Sequence, residues 1–182
     1  MKPLLIGFIG FPGSGKTTFA RRLAKEIGAV TYNSDALRLS MFGSLDRIEE
    51  IRQRDRSRLY EDVFGAMNYA TAQALKAGHS VIYDAQMAKR VDRQRLTKLA
   101  EQNGARFVLV WIKTDPAVAK QRGQNRENRS DSHQYSPEKM EMLVERFSKV
   151  NELPESDEDY VEVSGEVAFD EQYAVFSRRI EG

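Results

Sequence analysis

Gly10-Phe11-Pro12-Gly13-Ser14-Gly15-Lys16-Thr17 fits the phosphate-binding pattern G-x-x-x-x-G-K-[ST] at every fixed position. The flanking sequence has the order such a loop requires. Leu4-Leu5-Ile6-Gly7-Phe8-Ile9 is an apolar run suited to a buried parallel strand, and Thr18 to Ile27 carries Phe19, Leu23 and Ile27 at helical spacing. Gly10, Gly13 and Gly15 open backbone conformations closed to residues with a β-carbon, so successive N–H groups can turn toward phosphate oxygens. The helix that starts here adds unpaired N–H groups and the positive end of its dipole. Gly10, Pro12, Gly13, Ser14, Gly15, Lys16, Thr17 and Thr18 are therefore the expected cradle of a nucleoside triphosphate. Lys16 is placed to reach the β and γ phosphates, and the Thr17 hydroxyl to ligate Mg²⁺.

The chain has 182 residues, 30% charged and 41% hydrophobic, which fits one globular domain over 1–182 with a sizeable core. Without cysteine there are no disulfides, thiolate metal sites or cysteine nucleophiles, a composition compatible with a reducing cytoplasm. No apolar stretch approaches the roughly 20 residues of a membrane helix, and Met1-Lys2-Pro3 leads straight into the first strand. The expectation is a soluble cytoplasmic protein with no membrane partner. The net charge of +1 conceals a segregation: residues 1–87 sum to +3, 88–130 to +7 and 131–182 to −9. A basic middle segment in a phosphate-binding protein hints at a polyanionic second ligand, although solvated helix faces produce the same counts.

Further strands are expected at Val30–Asn33, Ser80–Tyr83, Arg106–Ile112 and Tyr160–Val163, separated by helices. The helical stretches run from Asp35 to about Met41, from Asp46 to Lys76 with a break near 54, from Lys89 to Gln102 and from Pro116 to about Gln121. Others span Pro137–Val150 and about Asp170–Ile180, the last exposing Tyr173, Phe176 and Ile180 on one side. The pattern predicts a three-layer α/β/α fold with a five-stranded parallel sheet. A polar stretch over about 122–136 is expected to form a small arginine-bearing lid.

In such sheets ligands sit at the carboxyl ends of the strands, so the polar residues just beyond each strand are the candidates. After the second strand, Ser34 is a plausible N-cap and Asp35 and Arg38 share a helical face; the carboxylate could accept a proton from an attacking hydroxyl and the guanidinium could hold the acceptor. The third strand ends in Asp84, a candidate for Mg²⁺ or its waters. Arg122, Arg126 and Arg129 follow the fourth strand and offer planar paired donors for phosphate oxygens. Each group has an unspecialised alternative: capping for Asp35, a turn for Asp84, a solvated helix end for the arginines. His79 and His133 lack metal-ligand spacing, Trp111 reads as core, and the series Arg47, Arg52, Arg54, Arg56 and Arg58 alternates with acids as solvated helices do.

Taken together, Gly-x-Pro-Gly-Ser-Gly-Lys-Thr, Ser34-Asp35-x-x-Arg38, the strand ending Asp84-Ala85 and Arg122-x-x-x-Arg126 resemble the polynucleotide 5′-hydroxyl kinase branch of phosphate-loop kinases, within the wider predicted-kinase group (AAA_33 type). The resemblance spans nearly the whole chain. It implies ATP and Mg²⁺ as cofactors and a hydroxyl acceptor, in the first place a polynucleotide 5′ end or a related phosphate-bearing acceptor, with a small molecule such as a sugar, antibiotic or nucleotide as the alternative. It further implies Asp35 as general base, Arg38 near the acceptor phosphate, Asp84 as an essential acid and Arg126 on the transferred phosphate. Arg122 would lie beside the nucleotide and Ser164-Gly165 near the adenine. Met87 stands where the group often has asparagine, a departure that bears on the acceptor, for whose phosphates Arg90, Arg93 and Arg95 are candidates. Two other classes stay open: an ATP-binding regulatory module and a simple triphosphate hydrolase.

Overall fold

Five apolar segments form a single parallel sheet: β1 (Leu4–Ile9), β2 (Val30–Asn33), β3 (Val81–Gln86), β4 (Arg106–Lys113) and β5 (Tyr160–Ser164), in the spatial order β2-β3-β1-β4-β5. The computed structural model describes residues 2–125 and 136–181. The chain moves outward from β1 in both directions, so the carboxyl end of β1 is the topological switch point where such sheets bind ligands. The phosphate-loop sequence follows it directly.

The faces of the sheet separate by the period-2 alternation of strand side chains. Leu5 and Ile9 of β1, Val81 and Tyr83 of β3 and Phe107 and Leu109 of β4 build one core with Met67, Leu75, Leu96 and Phe147. These come from α4 (Arg56–Lys76), α5 (Arg90–Gln102) and α7 (Pro137–Val150). Ile6, Phe8, Ile82, Val108 and Val110 build the other with Phe19, Leu23, Phe169 and Phe176 of α1 (Lys16–Ile27) and α8 (Phe169–Glu181). The fold is the expected three-layer α/β sandwich. A small satellite cluster of Ile48, Leu59 and Val63 ties α4 to α2 (Ser34–Phe42) and α3 (Leu45–Arg54). The anticipated break near 54 is Asp55, which closes α3 and caps α4 by accepting from Arg58 N at 2.9 Å.

Two expectations are corrected. Phe176 of α8 is fully buried, with Tyr173 and Ile180 packed against the same cluster, so these side chains close the core instead of being exposed. The N-cap of α2 is Asn33 and not Ser34: Asn33 stays extended (φ −108°) because it still pairs with Asp84 across β2 and β3, and its side chain takes the first free amides of the helix. Trp111 is only partly buried, with Lys113 Nζ 4.7 Å above its ring.

Candidate active site

The loop after β1 ends in a helix with no side-chain cap. Side chains of Asn33, Ser44, Asp55, Asp115 and Ser136 cap α2, α3, α4, α6 (Pro116–Gln124) and α7, and the first amide of α5 is taken by Glu152 at 2.6 Å. The N-cap of α1 is Gly15, which has nothing to offer, and no acid lies in its first turn. Its leading amides therefore suit an external anion. Gly13 makes the loop possible sterically. Its φ is +85°, and a β-carbon there would sit 2.0 Å from the Ala119 carbonyl oxygen on α6. Lys16 Nζ bends over the loop and donates to the carbonyl oxygens of Gly10 and Phe11, both at 2.8 Å. Ser14 Oγ is buried with no hydrogen-bond partner, and Thr18 is exposed.

Asp84 lies beside an irregularity of the sheet. β1 and β3 run in register as far as Gly7 opposite Tyr83, then slip so that Phe8 faces Gln86. A slip of this kind re-aims a side chain near a site. Asp84 is only 5% exposed; it accepts from Thr17 Oγ1 at 3.3 Å through Oδ1 and from Asn33 Nδ2 at 2.6 Å through Oδ2. Burial pushes its carboxyl above the usual range; the bonds from Asn33 and Thr17 and the charge of Lys16 oppose that shift, and the charge of Asp35 adds to it.

Asn33 links this centre to α2. Its Oδ1 accepts from the amides of Asp35 (3.0 Å) and Ala36 (2.8 Å). Asp35 is half-exposed, and its Oδ1 lies 2.5 Å from Arg38 Nη1. The Arg38 guanidinium is buried over the rings of Tyr60 and Phe64, 5.5 and 5.7 Å from their centroids. Thus Lys16, Thr17, Asp84, Asp35 and Arg38, from the ends of β1, β2 and β3, converge. Sequence reading missed Asn33, Tyr60 and Phe64. An asparagine between a strand and a helix is a capping signal, but its bond to Asp84 depends on strand pairing across 51 positions.

On the opposite side of the loop, Thr114 donates to the Ser14 carbonyl at 3.0 Å and Arg122 Nη1 to the Gly165 carbonyl at 2.6 Å. Gly165 is required by close approach: a β-carbon would lie 2.0 Å from Thr114 Oγ1 and 2.4 Å from Ser14 O. Arg122 and Ser164-Gly165 are thereby joined to the loop, whereas Arg126, Arg129, His133 and most of the anticipated lid lie outside the described residues.

The basic residues set aside for an acceptor are engaged elsewhere. Arg93, 1% exposed, places Nε and Nη2 on Glu158 (2.5 and 2.8 Å) and its remaining N–H groups on the carbonyls of Met87, Ala88, Glu152 and Leu153. Arg90 pairs with Glu155 and Asp157 at 2.5 Å, Arg95 with Asp92 at 3.2 Å, and Arg106 with Asp159 at 2.6 Å. Lys113 pairs with Glu162 and Lys120 with Glu141. Among the described residues, Arg90, Arg93, Arg106, Lys113 and Lys120 of the +7 segment thus pair with acids of the −9 segment, so part of the charge segregation is matched within the chain. Met87 fills the core under Gly7 and Phe107, and its amide donates to Phe8 O at 3.0 Å. The thioether at this position serves packing.

A family model for an AAA domain, AAA_33, matches residues 5–149. The chain belongs to that family. Several solved structures share the fold at low identity. A sugar kinase from Janibacter sp. HTCC2649 is 18% identical with a TM-score of 0.70, covering 100% of this chain and 95% of its own. Kti12 from Chaetomium thermophilum, solved with ADP-AlF3, is 22% identical with a TM-score of 0.69 and 98% of each chain covered. The APS kinase CysC of Mycobacterium tuberculosis, solved with AMPPNP and APS, is 20% identical with a TM-score of 0.60, covering 100% and 99%. No curated protein matches the sequence. Among the described residues no helix is long and apolar enough to cross a membrane.

Proposed function

We propose that the protein is an ATP-dependent phosphotransferase that moves the γ-phosphoryl group to an alcohol. One observation carries this reading: the amide nest at Gly15–Thr17 and the Asp35–Arg38 pair flank one buried carboxylate, Asp84, and are tied to it by Thr17 and Asn33. A binding module needs the nest but has no use for the second carboxylate beside it.

In this reading Lys16 and the loop amides hold the β and γ phosphates, and Arg122 and Ser164-Gly165 border the nucleotide base. Asp35 accepts the proton as the acceptor oxygen attacks the γ-phosphorus; the bond from that phosphorus to the bridging oxygen breaks, and ADP departs with the electron pair. Arg38, fixed by Tyr60 and Phe64, orients the acceptor, and Arg126 offsets charge on the transferred group. The residues present suit Mg²⁺: a buried carboxylate and a hydroxyl are hard oxygen donors. Among the described residues no group of three or more His, Cys, Asp or Glu could hold a metal. Thr17 and Asp84 would hold it, and when bound it would neutralise phosphate charge.

For the acceptor we favour a small hydroxylated molecule. Neighbours of the same fold are described as sugar, gluconate, shikimate and APS kinases, and among the described residues Arg90, Arg93, Arg106, Lys113 and Lys120 of the basic middle segment are engaged by acidic partners within the chain. A polynucleotide 5′-hydroxyl is the second reading, favoured by Ser34-Asp35-x-x-Arg38. Incubation with γ-labelled ATP and a panel of sugars, nucleosides, nucleotides and 5′-hydroxyl oligomers tests both. Label should move to one acceptor class; phosphate release at one rate regardless of acceptor would instead mark a hydrolase.

A further inference from the structure

Asn33 has two ends and both are committed. The acceptor end, Oδ1, holds the amides of Asp35 and Ala36, which leaves the amino end, Nδ2, facing Asp84 Oδ2 at 2.6 Å. The amide therefore cannot rotate without breaking three bonds. Asp84 is correspondingly fixed: Oδ2 is taken by Asn33, and Oδ1 is the oxygen turned toward Thr17. The β1–β3 register slips between Gly7 and Phe8, beside Asp84, while on the other side Asn33 and Asp84 stay paired across β2 and β3.

We infer that Asn33 is a positioning residue: it clamps one oxygen of Asp84 so that the other is presented, with the Thr17 hydroxyl, to the divalent cation that accompanies the nucleotide. The inference rests on the phosphotransferase reading and extends it by assigning which oxygen serves the cation and what holds it there. It also couples the two halves of the site, since the same amide fixes the first turn of α2 on which Asp35 rides. The simpler account is that Asn33 only caps α2. Serine and threonine cap nearly as well as asparagine, but each is one bond shorter and lacks the opposed amino end. They therefore separate the two duties.

The test is ATP binding by calorimetry at a series of Mg²⁺ concentrations and again in excess chelator, with thermal melting of the ligand-free protein. For Asn33→Ser, half-saturating Mg²⁺ should rise by about tenfold or more, as for other groups that orient a metal ligand. Chelator-state ATP affinity should match wild type, and the ligand-free melting midpoint should fall by no more than the loss of one hydrogen bond to the buried Asp84 carboxylate entails. Asn33→Thr, which also suits a strand end, should reproduce the result and replaces the serine variant should that one fail to fold. In an Asp84→Asn background the serine change should add nothing to the Mg²⁺ requirement. An unchanged Mg²⁺ requirement, or equal weakening of ATP with and without Mg²⁺, overturns the inference and leaves the capping account. If wild type itself binds ATP with no dependence on Mg²⁺, the phosphotransferase reading falls as well.

Discussion

Asp84, near the end of β3, and Arg93, on α5, are both buried charges, yet the protein treats them in opposite ways. Arg93 is paid in full: its N–H groups meet Glu158 and four main-chain carbonyls, and it pins the acidic loop at 155–159 to α5. Burial pushes the Glu158 carboxyl up, but the bonds from Arg93 and the Glu155 amide, with the charges of Arg93 and Arg90, outweigh it and hold that carboxyl below its ordinary range. Asp84 has two neutral donors and a lysine nearby, too little to offset burial, so its carboxyl stays above its ordinary range. A structural charge is compensated inside the chain; a site charge is left with capacity for something that binds. The same contrast separates α2, α3, α4, α6 and α7, capped by side chains, from α1, which is not.

The contrast breaks most sharply if site residues prove structural. Arg126→Ala should lower turnover by about 10³ or more with little change in melting, and an unaltered turnover would remove Arg126 from the site. Next comes the structural charge. Arg93→Ala should cost about 3–5 kcal/mol in urea denaturation by stranding Glu158, while activity per folded molecule stays near wild type. A fall in kcat at full folding would mean that Arg93 belongs to the site after all. Asp84→Asn should behave in reverse, stabilising the ligand-free protein by up to roughly 2 kcal/mol while abolishing Mg²⁺-dependent transfer.

The smallest effect is on pH. Because the folded pKa of Glu158 is lowered, its contribution to stability is complete above the unfolded value of about 4.3 and fades as pH falls through the folded value. Denaturation midpoints taken between neutral pH and strongly acidic pH should show that loss in wild type. Glu158→Gln should lack that component of the acid-side slope, and an identical slope would contradict the pairing.

Strands, helices and the phosphate loop were readable because apolar runs, caps and glycines are local signals; β2 begins and ends where expected, and most other bounds moved by a residue or two. Asp35 with Arg38 is readable because residues three apart lie on one face of a helix. What could not be read lies far apart in sequence. Asn33 finds Asp84 only once β2 and β3 pair, and Arg93 finds Glu158 across 65 positions. A charge count along the chain therefore shows a basic and an acidic segment but not which of their side chains pair. The face of α8 was misjudged for the same reason: Phe176 is apolar at helical spacing, and only the sheet beside it decides that this face is covered.

The most direct measurement is transfer of label from γ-labelled ATP to the best acceptor of the panel, by wild type and by Asp35→Asn at saturating ATP. The account predicts acceptor-dependent transfer that falls by about 10² to 10⁴ in the variant with ATP affinity preserved. Equal transfer by both proteins would contradict it.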